Sequence, residues 1–315
     1  MYKMVGTRVE PDDNDIVVWK FDEAAAPFVN SSTSPSAIST AISNLTTLSG
    51  NVRLQQVSPF AANGTNSAVQ FGGDNSGSPR NYISGANTCE PQFPITFSTW
   101  LYIRTYNSTS FTQHYWSKQH TTGNWSATFA QIGLQNRTYT GQSTAFDIFA
   151  TTVTTNNNLI LTSDNNIPLN TWCHIGLTYD GSNKLCYLNG NLIKSATSTG
   201  NINYGNSGPW FFGAIPAGSG NPEEGQYSIC DFRIANVARP QSYFQEIYQK
   251  GALNSDGQLS VFTTFYKMRA FDLYYTKQAV YWTNSEISYN GAPTSPSGWG
   301  LGPIEILEIY NVLNV

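Results

Sequence analysis

Charge is scarce in this chain. Asp, Glu, Lys and Arg make up 11% of the 315 residues, against about 25% in an ordinary globular protein. Basic runs are missing altogether, and the net charge is −4. A duplex-binding protein needs a basic footprint, so nucleic acid is excluded as the main partner. No stretch approaches the roughly 18 apolar residues of a membrane-spanning helix, so no membrane insertion is expected. The opening Met1–Asp15 has no apolar signal core. With Met1 as the start, export by a cleaved signal is not expected.

Cysteine is also sparse. Cys89, Cys173, Cys186 and Cys230 are the only four, and none forms a C-x-x-C pair of the metal-binding or redox type. Three sit inside apolar strand patterns and read as reduced, small core side chains, although an even number leaves two disulfides open. The three histidines, His114, His120 and His174, belong to no HExxH pattern. Neither a phosphate loop nor a nucleophile elbow occurs.

What the chain does have is aromatic and neutral polar material. Aromatic residues reach 14% and hydrophobic residues 40%, which excludes a disordered chain and is enough for a large core. Asn, Ser, Thr, Gly and Gln take the place of charge at the surface.

Short β-rich runs separated by turn residues recur along most of the length, the spacing of a sandwich or barrel. Ile16–Phe21 reads as the first strand. Residues 27–66 read as loops with brief strands. Ala68–Phe71 runs into a Gly/Asn turn, and the chain becomes extended again at Tyr82–Ile83. Ile95–Ile103 alternates at first and is then apolar throughout, as in a strand covered on both faces over part of its length. Further runs lie near Tyr115–Trp116, Phe129–Leu134, Phe146–Phe149 and Leu159–Leu161. Between Trp172 and Ile193, the turn dipeptides Asp180-Gly181 and Asn189-Gly190 imply three consecutive antiparallel strands, with Cys173, Ile175, Leu177 and Tyr179 on one face. Trp210–Gly213 and Tyr227–Ile234 add two more. One helix is expected, at 240–250, with Pro240 in its first turn, Phe244, Ile247 and Tyr248 on one face, and Gly251 as its stop.

The segments VVWKFDEAA, AVQFGGD, ITFSTWLYI, TWCHIGLTYDGSNKLCYLNGNLI, PWFFG and YSICDFRIANVARPQSYFQEIYQKG occur in this order. Together they resemble the laminin-G-like, concanavalin A-like jelly roll over about residues 15–251. The resemblance implies an all-β, two-sheet antiparallel sandwich with one short helix. It leaves function open, because relatives include carbohydrate binders, adhesion modules, some glycosidases and virion components. An N-terminal arm (1–14) precedes the sandwich, and an aromatic-rich C-terminal segment (252–315) follows it. That segment is expected to form strands and to dock on the sandwich or on a neighbouring subunit.

Glycosidases of this fold carry carboxylates at alternate positions of one strand, which puts acid and nucleophile on one face. Glu10-Pro-Asp12 lacks the second Glu, Glu223 and Glu224 are adjacent, and Glu305 and Glu308 have the wrong period. The expectation is therefore a non-enzymatic protein with no catalytic residue. Some relatives bind calcium at the sheet rim, and Asp74 in the Gly-Gly-Asp-Asn turn is the candidate ligand. Trp116, Trp125, Tyr204 and Trp210 are the candidate sugar-stacking residues. The neutral, aromatic-rich composition is like that of a tailed-phage virion component: a capsid decoration, fibre or tail protein, homo-oligomeric, in contact with other virion proteins or its own subunits, and able to face a cell-surface glycan. A free extracellular lectin module is the alternative, and a glycoside hydrolase is the remaining one.

Overall fold

Strand alternation and turn chemistry dominate this chain, and the computed structural model follows them. It describes residues 8–60, 67–72, 81–86, 88–105, 112–119, 131–137, 148–154, 157–163, 167–197, 199–202, 208–213, 226–251, 262–271, 278–283 and 304–313. In chain order the first elements are β1 (Asp15–Trp19), the one-turn helix α1 (Thr40–Ser43), β2 (Leu45–Ser49), β3 (Arg53–Gln56), β4 (Ala68–Phe71) and β5 (Tyr82–Gly85). Then come β6 (Ile95–Thr105), β7 (Thr112–Gln119), β8 (Gln131–Arg137), β9 (Ile148–Thr154), β10 (Asn157–Ser163), β11 (Trp172–Tyr179), β12 (Asn183–Leu188) and β13 (Asn191–Thr197). The last are β14 (Trp210–Gly213), β15 (Gln226–Ala235), α2 (Gln241–Gly251), β16 (Phe262–Phe271), β17 (Gln278–Thr283) and β18 (Ile304–Leu313).

Two antiparallel sheets form the sandwich. The eight-stranded sheet runs β13-β12-β11-β6-β15-β4-β3, with β1 also paired to β15, and the seven-stranded sheet runs β10-β9-β8-β7-β14-β5-β2. The three strands expected around the two turn dipeptides are β11, β12 and β13. Asn189 and Gly190 both have positive φ, 51° and 79°, the backbone that a tight two-residue hairpin requires.

The core between the sheets is aromatic. Phe97 and Phe232 enter from the eight-stranded sheet with Trp19, and Trp116, Trp210 and Phe212 enter from the other. Phe232 contacts Trp19, Trp116 and Phe212 with ring centroids 5.5, 5.1 and 5.0 Å apart. Edge and stacked contacts of this kind add to area burial. The indole N–H groups of Trp19 and Trp210 donate to the Ser43 and Cys89 carbonyls at 2.8 and 2.9 Å. All four cysteines are free and buried, in keeping with the reduced reading, and burial pushes the thiols of Cys89, Cys173 and Cys186 up to about 12.

The outward face of the eight-stranded sheet is partly roofed by α2. Phe244 and Ile247 are buried beneath it. The helix comes so close that a Cβ on Gly176 of β11 would lie 2.2 Å from the Phe244 ring, and one on Gly251 would lie 2.2 Å from Trp100. Trp100 and His174 are cross-strand partners under this roof, with rings 5.2 Å apart. The N-terminal arm is pinned to the same face by charge. β15 carries a bulge at Asp231 (φ 52°), which turns both Asp231 and Arg233 outward. The Arg233 guanidinium lies 2.8 Å from Asp231 and 3.4 Å from Asp15, and it also donates to the Val9 carbonyl. Arg239 meets Asp15 at 3.0 Å and Asp12 at 2.5 Å. Burial raises the Asp15 carboxyl while both arginines oppose the shift. The Arg239 hydrogen bond holds Asp12 below its ordinary value.

The C-terminal strands form a separate three-stranded antiparallel sheet, β17-β16-β18. Lys267 is in register with Glu308, and Arg269 with Glu305. Ser285–Trp299, whose Gly, Pro and Ser residues mark a loop between strands, lie outside the described residues. No described helix is long and apolar enough to cross a membrane.

Two stability predictions follow from the roof. Gly176→Ala forces a methyl into the Phe244 ring and lowers stability by about 1–3 kcal/mol, and Phe244→Leu in the same chain recovers part of the loss. Chemical unfolding of the single and double variants measures this. Burial lowers the His174 imidazole from 6.5 to about 3. Above 6.5 the folded and unfolded chains are both neutral at this site, and stability is full. As the pH falls from there toward about 3, the unfolded chain takes up a proton that the folded chain refuses, and stability is lost. At pH 4.5 the loss is about 3 kcal/mol. No described acceptor bonds to Nδ1, so His174→Phe leaves no orphaned partner at that atom. The variant should show a correspondingly shallower fall in urea midpoint between pH 7 and pH 4.5.

Candidate functional site

β6 is built from two interleaved patterns. Ile95, Phe97, Leu101 and Ile103 belong to the inter-sheet core. Trp100, Tyr102 and Arg104 alternate with them and therefore share the outward face. That face divides into two zones. Under α2 lies an apolar zone with Trp100, Cys230, Ala68 and Ile247. One step toward the far end of the strands, the cross-strand row reads Trp172 (β11), Tyr102 (β6), Ser228 (β15), Gln70 (β4) and Arg53 (β3).

This second row is open where the first is closed. Trp172, Tyr102 and Gln70 are half-buried and Arg53 is exposed, with only Ser228 buried among them. The Trp172 and Tyr102 rings lie 5.6 Å apart at 57°. Arg104, half-buried and two residues along from Tyr102, lays its guanidinium 5.1 Å from the Tyr102 ring centroid. It donates from Nη2 to Ser228 Oγ at 2.8 Å. Paired half-open aromatic rings beside guanidinium, amide and hydroxyl groups can stack on an apolar ring face and hydrogen-bond to its polar edge.

The residues singled out by sequence fall elsewhere. Trp116 and Trp210 are 1% and 0% exposed, with centroids 6.1 Å apart in the inter-sheet core. They are core side chains, which corrects their reading as sugar platforms. They sit near loop-rich sequence, yet their position along β7 and β14 turns them inward. Trp125, Tyr204 and the calcium candidate Asp74 lie outside the described residues, as does His120. Among the described residues no group of three His, Cys, Asp or Glu side chains is placed to hold a metal. Of the carboxylates considered for catalysis, Asp12 bonds to Arg239. Glu90 faces Lys118 at 3.3 Å. Sequence reasoning missed Tyr102, Arg104 and Trp172 as a group. The signal was the alternation within ITFSTWLYIRT, whose two phases are both aromatic.

No curated protein matches the chain. Among solved structures, the botulinum neurotoxin type G receptor-binding domain has a similar fold, with a TM-score of 0.50 and 16% identity over 82% of this chain and 57% of that one. The receptor-binding domain of botulinum neurotoxin D gives 0.52 and 13%, over 82% and 59%. The binding domain of botulinum neurotoxin DC in complex with sialylT gives 0.50 and 16%, over 81% and 57%. This chain thus accounts for less than two thirds of the length of each. A laminin-G-type model described as the concanavalin A-like lectin/glucanases superfamily matches residues 63–243, more than half of the sequence. The chain belongs to the concanavalin A-like lectin/glucanases superfamily.

Proposed function

We propose that the protein is a non-enzymatic glycan-binding module carried on a virion, as a capsid decoration, fibre or tail component. The observation that carries the binding role is the open row Trp172–Tyr102–Ser228–Gln70–Arg53 beside the roofed half of the same sheet face. It combines rings with fixed polar groups on central strands, the composition of a saccharide subsite. The neighbouring folds are receptor-binding domains, one of them solved with sialylT, and this supports glycan as the ligand class.

The virion setting rests on the low-charge, aromatic-rich composition of the chain and on the C-terminal sheet. That sheet pairs within itself, and in this reading it carries the attachment to a subunit or particle. A homo-oligomer presenting several copies of the row gains avidity from multivalency.

A glycan array of the purified protein, run with calcium and then with chelator while the oligomeric mass is recorded, tests the reading. Specific glycan binding is expected. Trp172→Ala and Tyr102→Ala should each weaken it by roughly tenfold. Binding unchanged in both variants places the site elsewhere, and a folded protein that binds no glycan overturns the proposal. Loss on chelation assigns a calcium role and makes Asp74 the next residue to replace.

A further inference from the structure

We infer that the Arg104–Arg53 corner of the open row binds the anionic group of an acidic saccharide, a carboxylate or sulfate, while Tyr102 and Trp172 hold the sugar ring. The inference rests on the glycan reading above and specifies its ligand.

The argument begins with charge. Every buried guanidinium elsewhere on this sheet face has a carboxylate: Arg233 has Asp231 and Asp15, and Arg239 has Asp15 and Asp12. Arg104 has none among the described residues. Its polar partner is the Ser228 hydroxyl, its cation lies over Tyr102, and Nη1 is buried with no acceptor. A buried donor left without an acceptor is costly. Arg53 stands three strands away, on β3, in the same row through Ser228 and Gln70. It is exposed and likewise without a carboxylate partner among the described residues. Burial and the neighbouring Arg53 charge both lower the Arg104 guanidinium from its ordinary value. In a chain of net charge −4, this is a local excess of positive charge fixed by a hydroxyl and a ring.

An anion placed between the two guanidiniums offsets their repulsion and accepts charge-assisted hydrogen bonds. A simple inorganic anion would leave the adjacent rings unused. An anionic sugar uses both, because its ring covers Tyr102 and Trp172 while its charged substituent reaches the arginines. Ser228 and Gln70 lie between the two ends of the row and suit the sugar hydroxyls.

The test compares three probes by calorimetry: an oligogalacturonate, its carboxyl-reduced neutral form, and a sulfated neutral oligosaccharide. At least one anionic probe should bind about tenfold or more tighter than the neutral form, with the preference shrinking as salt rises. The tighter of the two anionic arms identifies carboxylate or sulfate as the source. Arg104→Gln should abolish the preference for the anionic probes over the neutral form. Arg53→Gln, at an exposed position where folding is not at stake, should reduce it. Equal affinity for charged and neutral probes, still weakened by Trp172→Ala, overturns the anion assignment and leaves the glycan reading standing. No binding of any probe or of any arrayed glycan overturns both. Polyglutamate bound as tightly as oligogalacturonate, with no effect of Trp172→Ala, also overturns it and points to an acidic protein partner.

Discussion

The buried guanidinium of Arg233 organises one whole side of this molecule. At 2% exposure it could not be sustained alone, since an uncompensated buried charge is among the most destabilising features a fold can carry. Its partners come from three places. Asp231 is supplied by its own strand through a bulge, Asp15 by the start of β1, and the Val9 carbonyl by the N-terminal arm. Asp15 in turn holds Arg239, just ahead of α2. The arm, the first strand, the central strand β15 and the helix entry are therefore tied to one ionic network. Breaking any one member leaves another charge exposed to the same penalty, and this couples the roof to the sheet below it.

The roof determines where the sheet face is open. Gly176 lets Phe244 sit directly on β11, and Gly251 lets the helix end rest on Trp100. Beyond that point the cover stops, and the next row keeps its aromatic rings half in solvent. Arg233 and Arg104 thus lie on the same face under opposite conditions. One is sealed and matched by carboxylates. The other is half-open and matched by a hydroxyl and a ring, and this asymmetry distinguishes a structural charge from one free to meet a ligand.

Much of the architecture was legible in the residues because it depends on short-range chemistry. Asp180-Gly181 and Asn189-Gly190 mark turns whatever surrounds them, so β11, β12 and β13 were readable in order. Ile95–Ile103 reads as covered on both faces over part of its length, and it is: the opposite sheet covers one side, and on the other side α2 covers the strand at Trp100 and leaves Tyr102 half-buried. The helix itself was visible from the spacing of Phe244 and Ile247 and from Pro240 and Gly251. The site was much less legible. Trp116 and Trp210 looked like surface rings because they lie near loop-rich segments. Their burial depends on which phase of β7 and β14 faces the opposing sheet, and that is a property of long-range packing. Tyr102 was concealed for the opposite reason: it sits in an apolar run, and only the finite length of α2 uncovers it.

That origin bears on how the row can bind. Trp172, Tyr102 and Ser228 stand on β11, β6 and β15, three adjacent strands in the middle of the sheet, instead of on the loops where binding residues more often lie. Tyr102 and Ser228 have ladder partners on both sides and Trp172 on one, and Tyr102 is further restrained between Trp172 and Arg104. A ligand settling on such a row has little side-chain or loop freedom to remove, so more of its contact energy remains as affinity. The same rigidity limits what the row can accept. Ring spacing and the position of the guanidinium are set by strand register, and that makes ligand shape and charge placement, more than induced adjustment, the source of selectivity.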